Sequence, residues 1–285
     1  MPTSEPSPLL HGLGLLEYRL MPAHAPLPPP DLSIPLQRQP PQQLTPPLQA
    51  VQRVVQQHQA QITDAWLELD QPNLQAPLTQ QRPPGLFVRL LTSPSPALSV
   101  GLAELQAALG LPDTPLSLPP LPAGLRISHI GLFAGRAGQQ PGQLRCNLIG
   151  PHPRQWAWLW QHLPAAAQCL ERAGLVPLLL AEPAVSAWSA TVDWHGQLGP
   201  RLGIELFAAG QLQRACGLND PATDVLLQHL QRWVPDGALQ RCLQWQRQRL
   251  PATYACSFSH HKLVIEPSAA AAVQHKLYLL AHAPG

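Results

Sequence analysis

Lys262 and Lys276 are the only lysines in this 285-residue chain, and they open twin segments, KLVIE and KLYLL, near its C-terminus. Successive strand residues point to opposite faces of a sheet. In these segments Leu263, Ile265, Leu277 and Leu279 form one face, and Lys262, Val264, Glu266, Lys276 and Tyr278 the other. The same sorting in QLRCNLI sets Gln143, Arg145 and Asn147 against Leu144, Cys146 and Leu148. In RLGIELF, Arg201, Gly203, Glu205 and Phe207 oppose Leu202, Ile204 and Leu206; in WLELD, Trp66, Glu68 and Asp70 oppose Leu67 and Leu69. If the sheet is open, the polar face is solvent and the lysines discourage edge-to-edge pairing. If it closes, Arg145, Arg201, Lys262, Lys276 and Tyr278 converge in one lumen with Glu68 and Glu205. A cation cluster of that kind suits a phosphate or diphosphate.

Other constellations carry less. Twelve histidines include His260, His261, His275 and His282 on the last strand pair, but no HExxH or two-His-one-carboxylate spacing occurs. We therefore assign no metal ligand. Five scattered cysteines form no CxxC or zinc spacing and read as reduced, buried thiols. No GxSxG elbow, phosphate loop or Asp-rich magnesium pair is present. WAWLW, residues 156–160, puts Trp156 and Trp160 on one helix face, where packing on a sheet is the simplest use.

The elements that position these residues follow from hydrophobic period. Residues 48–61 read as a helix, 62–70 and 85–91 as strands, and 100–110 as a helix ending at Gly110. Residues 124–135 and 143–150 flank a Gly-rich turn, a hairpin signal. Residues 152–174 form a helix broken at Pro164, and 185–194 with 201–210 form the next strand pair. Two helices, 219–234 and 236–250, precede the final pair. Four hairpins separated by helices predict an α+β fold: an antiparallel sheet with helices on one face, or a barrel with helices outside. The Pro-rich stretch 21–47 reads as an extended arm or tether, so we divide the chain into an N-terminal segment 1–47 and a single domain 48–285.

Composition narrows the setting. A net charge of +2 calls for neither nucleic acid nor an anionic membrane. No apolar run reaches membrane-span length, and the first residues show no basic leader or small-residue cleavage site. A cytoplasmic location is the expectation.

The order of elements and the strand texture resemble prenyltransferases of the ABBA-barrel type, particularly those that modify cyanobactin peptides in natural-product biosynthesis. GLRISHIGLFAGRAGQQPGQLRCNLIG is similar to that family's second hairpin, RLGIELF to a strand of the third, and HHKLVIEP with HKLYLLA to the last. The resemblance runs over residues 60–282 as pattern. It implies a ten-stranded antiparallel barrel whose lumen holds a prenyl diphosphate. By it, Arg145, Arg201, Lys262, Lys276 and Tyr278 bind diphosphate, Glu68 serves as base toward the acceptor, and Trp66 and Phe207 shield the allyl group. The implied partners are a prenyl diphosphate and a peptide or small aromatic acceptor. The cofactor is unassigned, with Mg2+ accompanying the diphosphate as the candidate. The chain departs from the family in having only three tyrosines, Tyr18, Tyr254 and Tyr278, where such barrels usually have several in the lumen. A non-catalytic barrel or sheet protein that binds a peptide or protein partner is the alternative.

Overall fold

A computed structural model describes residues 13–282 apart from 22–23, 75, 92–94, 113–115, 117, 134–142, 181–184, 209–215, 218–227, 229–230, 232–233, 235–236, 250–254 and 269–272. Eleven strands form one antiparallel sheet: β1 (Leu13–Arg19), β2 (Asp31–Pro35), β3 (Ile62–Leu69), β4 (Gly85–Leu90), β5 (Arg126–Phe133), β6 (Leu144–Ile149), β7 (Val185–Trp194), β8 (Leu198–Ala208), β9 (Cys216–Gly217), β10 (Ala255–Ile265) and β11 (Val273–His282). Strands β1 to β8 pair in chain order, β8 pairs with β10, β10 with β11, and β11 with β1. The ring therefore closes on ten strands, with two-residue β9 attached to β10 beside it. The open-sheet alternative falls, and the polar strand faces point inward.

Closure depends on a segment the sequence reading set apart. The N-terminal segment 1–47 was set apart, its Pro-rich stretch 21–47 as an extended arm, yet the segment supplies β1 and that stretch supplies β2. β1 pairs with β11 over seven residues, from Leu13 opposite His282 to Arg19 opposite Lys276. β2 then joins β1 to β3, with Leu32 opposite Leu69 and Ser33 opposite Glu68. Proline forbids helix and central-strand geometry only where it stands. LGLLEYR contains none, and DLSIP carries its one proline at the last strand position. Residue 47 is thus not a boundary of the sheet.

Among the described residues there are six α-helices: α1 (Pro46–Gln57), α2 (Pro96–Ala108), α3 (His152–His162), α4 (Pro164–Arg172), α5 (Val176–Leu180) and α6 (Ala238–Arg249). α2 begins where the Ser95 hydroxyl accepts from the Leu98 N–H at 3.2 Å, and stops before Gly110 at φ +66°. α3 and α4 divide at Pro164, which lacks the N–H needed to continue the ladder. The expected helix over 219–234 and the turn over 136–142 lie outside the described residues, the former except for isolated positions.

The core lies between the helices and the outer barrel face. Leu16 of β1, Leu32 and Ile34 of β2, and Leu67 of β3 are fully buried there with Val51 of α1. On the far side Ile204 and Leu206 of β8 join Leu159 of α3 and Leu170 of α4. Burying each leucine stabilises the fold by roughly 2 kcal/mol, and every such residue fixes the inward direction of its polar neighbours.

Candidate active site

The alternation places Glu68, Trp66, Arg145, Arg201, Phe207, Lys262, Lys276 and Tyr278 all on the face opposite the buried apolar set. A cavity of about 350 Å³ inside the barrel is lined by Trp66, Glu68, Phe207, Lys262 and Tyr278, together with Leu15, Ser33, Asp64, Phe87 and His260. Arg145, Arg201 and Lys276 sit outside that lining, in ion pairs beside it.

Each of the four basic residues has a carboxylate. Lys262 Nζ donates to Glu205 Oε1 at 2.9 Å, and Arg145 Nε to Asp193 Oδ1 at 2.9 Å. Lys276 and the Tyr278 hydroxyl both donate to Glu17. Arg201 Nε lies 3.2 Å from Glu266 Oε1, an ion pair without hydrogen-bond alignment. Arg145 also lies 4.8 Å from the centre of the Phe133 ring.

Glu205 is a hub. Besides Lys262 it accepts from Ser189 Oγ at 2.8 Å, Asn147 Nδ2 at 3.1 Å and Thr191 Oγ1 at 3.4 Å. Burial alone would raise its pKa, but Lys262 and these donors bring it well below the ordinary carboxylate range. Gly203 makes the geometry possible. A Cβ there would lie 2.8 Å from Lys262 Cε and 3.1 Å from Thr191 Cβ, so a larger residue would push the lysine stem from its path across β8.

Glu17 follows the same physics. Burial raises its pKa, Lys276 and Tyr278 more than reverse that, and it titrates at about 2. Burial, then Glu17, pushes the Tyr278 phenol well above its ordinary value, so it remains a neutral donor. Asp31, one strand over, moves the other way: burial and the adjacent Glu17 charge raise it to about 6. Burial holds the His260 imidazole down at about 4, and this neutral ring stacks on Tyr278 at 4.0 Å and lies 5.2 Å from Phe207. Trp66 Nε1 donates to Asp64 Oδ2 at 2.7 Å, fixing the indole at the cavity wall.

A second cavity, about 440 Å³, adjoins the first, sharing Arg89, His129, Asn147, Glu205 and Phe207 with it. Sequence reasoning did not single out Arg89, His129, Phe87, Glu17 or Asp193, and it sorted Glu266 onto the polar face without giving it a role. The signal was present in the alternation of LGLLEYR, GLFVRL and VSAWSATVDW, whose faces sort as cleanly as those used above. Tyr18 faces the outer core, fully buried, so Tyr278 is the lumen tyrosine among the described residues. His261 and His275, hydrogen-bonded at 3.3 Å, also belong to the outer face, where His261 is fully buried.

Among the described residues no group of three or more His, Cys, Asp or Glu side chains stands ready for a metal ion. Glu205, Glu17, Asp193 and Asp64 are each engaged by a lysine, an arginine or an indole N–H, a donor set unlike a magnesium site. No helix among the described residues is long and apolar enough to cross a membrane.

In sequence, no protein-family model and no curated protein matches the chain. Solved structures similar to it include prenyltransferases. Prenyltransferase PriB in its apo form aligns at 15% identity over 97% of this chain and 84% of that one, with a TM-score of 0.47. 6-Dimethylallyltryptophan synthase from Micromonospora olivasterospora aligns at 14% identity over 93% and 81%, with a TM-score of 0.42. 5-Dimethylallyl tryptophan synthase from Streptomyces coelicolor aligns at 13% over 93% and 78%, with a TM-score of 0.41.

Proposed function

We propose that this chain transfers an isoprenoid from a prenyl diphosphate to a small aromatic acceptor or an aromatic peptide side chain, inside the barrel. The observation that carries this reading is the meeting of basic and aromatic side chains from separate hairpins on the inner face of one closed sheet. Lys262, Lys276, Arg145, Arg201 and Tyr278 take the diphosphate, exchanging their carboxylate partners for its oxygens. The allylic C–O bond breaks heterolytically and the diphosphate leaves with the electron pair, its growing charge met by those donors. Trp66 and Phe207 flank the allyl cation, whose positive charge favours aromatic faces. The acceptor carbon attacks, and Glu68 on the same cavity wall receives the proton that carbon loses. The peptide-modifying, cyanobactin-type role and the cytoplasmic setting are parts of this proposal.

One observation favours a second reading, a barrel that binds a partner without transferring anything. The cations are matched by carboxylates, so a diphosphate must compete with Glu205 and Glu17 for Lys262 and Lys276. Incubation with dimethylallyl diphosphate and a panel of aromatic amino acids and peptides, read by mass spectrometry, separates the two. An adduct of one prenyl unit that disappears in Glu68→Gln is expected; no adduct on any acceptor leaves the binding reading.

A further inference from the structure

Glu205 and Glu17 each hold a lysine inside the barrel, but they differ in what stays with them once that lysine turns to a diphosphate. Glu205 keeps three neutral donors, Ser189, Asn147 and Thr191. Glu17 accepts from Lys276 and the Tyr278 hydroxyl, and both of these belong to the set proposed to bind the donor. A second carboxylate also faces Glu17. Asp31 stands directly opposite it in the β1–β2 register, on the same inner face, and the two residues are only 7% and 5% exposed. Like charges so placed repel.

The groups around this acid pair leave Lys276 as its main counter-charge. Its charge favours the ionised form of both carboxyls. Arg19 of β1 lies 3.7 Å from Asp31 but is half exposed, so water screens it. The Gln71 N–H donates to Asp31 Oδ1 at 3.0 Å, a neutral contact. Lys262 of β10 acts on Glu17 through space while bonded to Glu205, and Arg201 of β8 does so while paired with Glu266. His260 of β10 is neutral. Glu68 of β3 acts on Tyr278, and exposed Asp70 follows β3, so that side adds negative charge.

We infer that the Glu17–Asp31 pair takes up one proton when a prenyl diphosphate binds, so that the donor enters the barrel together with a proton. The inference rests on the proposed transfer reaction in taking that diphosphate as the ligand of Lys276 and Tyr278. Once both turn to phosphate oxygens, two buried carboxylates face each other with a further anion beside them. One proton shared between the two relieves that repulsion. Glu205 remains ionised on its three neutral donors. Donor affinity therefore falls as pH rises, by about tenfold per pH unit where a full proton is taken up. Below pH 6 the free protein already carries that proton on Asp31, so the dependence sets in above it.

Calorimetric titration with dimethylallyl thiolodiphosphate at pH 8, repeated in buffers of low and high ionisation enthalpy, counts the protons. The terminal phosphate of this ligand ionises at roughly pH 6, so at pH 8 it gains none itself. Uptake of about one proton per ligand is the expected result. It disappears in Glu17→Gln with Lys276→Met and persists in Glu205→Gln with Lys262→Met, although both double variants bind the ligand more weakly. Asp31→Asn, which keeps both donors to Glu17, lowers the uptake because the opposing charge is gone. Uptake that survives the first double variant, is lost in the second, or is unchanged by Asp31→Asn overturns the assignment. Binding without proton uptake overturns the coupling and leaves the transfer reading standing, whereas absence of any binding removes the donor site and both fall.

Discussion

Lys262 is bound to a carboxylate that four donors share, and that arrangement sets what mutation does. With side chains 11% and 12% exposed, Lys262 and Glu205 form a buried pair, and removing one partner leaves a charge stranded. Lys262→Met is expected to cost about 3 kcal/mol in urea unfolding. Lys262→Met with Glu205→Gln recovers most of it, because Ser189, Asn147 and Thr191 still serve the amide. Equal losses in single and double variants would contradict the pairing. Titration supplies a second prediction. His260 and His275 are held at about 4 and His261 well below its ordinary value, each first by burial. The unfolded chain binds those protons near pH 6.5, the folded chain only near 4 or lower, so stability falls as pH drops through that window. Asp31 opposes this: raised to about 6, it holds a proton when folded that the unfolded chain has lost, which favours the fold as pH falls through 6. These three imidazoles, with His129 and His152 lowered by burial in the same direction, outweigh one carboxyl, so unfolding takes up protons near pH 5. The urea midpoint should therefore drop between pH 7 and pH 5, and a rise would show that the imidazoles are not buried neutral.

At the scale of elements, the barrel stands or falls with β1. Removing residues 1–20 deletes the strand between β11 and β2, leaves two unpaired edges and exposes the packing surface beneath Leu16. The truncated protein is expected to lose cooperative unfolding and to self-associate, measured by urea denaturation and sedimentation. A monomer with an unchanged midpoint would make the segment an arm after all. This element was also the one least legible in the sequence. Runs such as RLGIELF and KLVIE announce themselves through clean alternation, and Pro164 and Gly110 mark breaks by chemistry that acts locally. β2 is only five residues long, and the proline-dense neighbourhood that surrounds it and follows β1 masks both. What makes them strands is the vacancy between β11 and β3, a long-range pairing that no local pattern contains.

For the whole molecule, alternation made the inner face readable, which is why Glu68, Trp66, Phe207 and the basic set could be sorted inward before any fold was known. Their counter-charges were harder to see. Asp193 meets Arg145 across the β6–β7 pair, and Glu17 meets Lys276 only because the ring closes the first strand onto the last. A chain carrying 18 basic and 16 acidic residues thus brings near-neutrality into its own lumen, and in the proposed reaction a prenyl diphosphate displaces that internal balance. Calorimetric titration with dimethylallyl thiolodiphosphate tests this most directly, on the parent protein and on Lys262→Met with Glu205→Gln, which leaves no buried charge unpaired. Saturable binding that weakens about tenfold or more in the variant is the predicted result. Absence of binding, or equal binding by both proteins, would contradict the account and leave a barrel whose charges serve only each other.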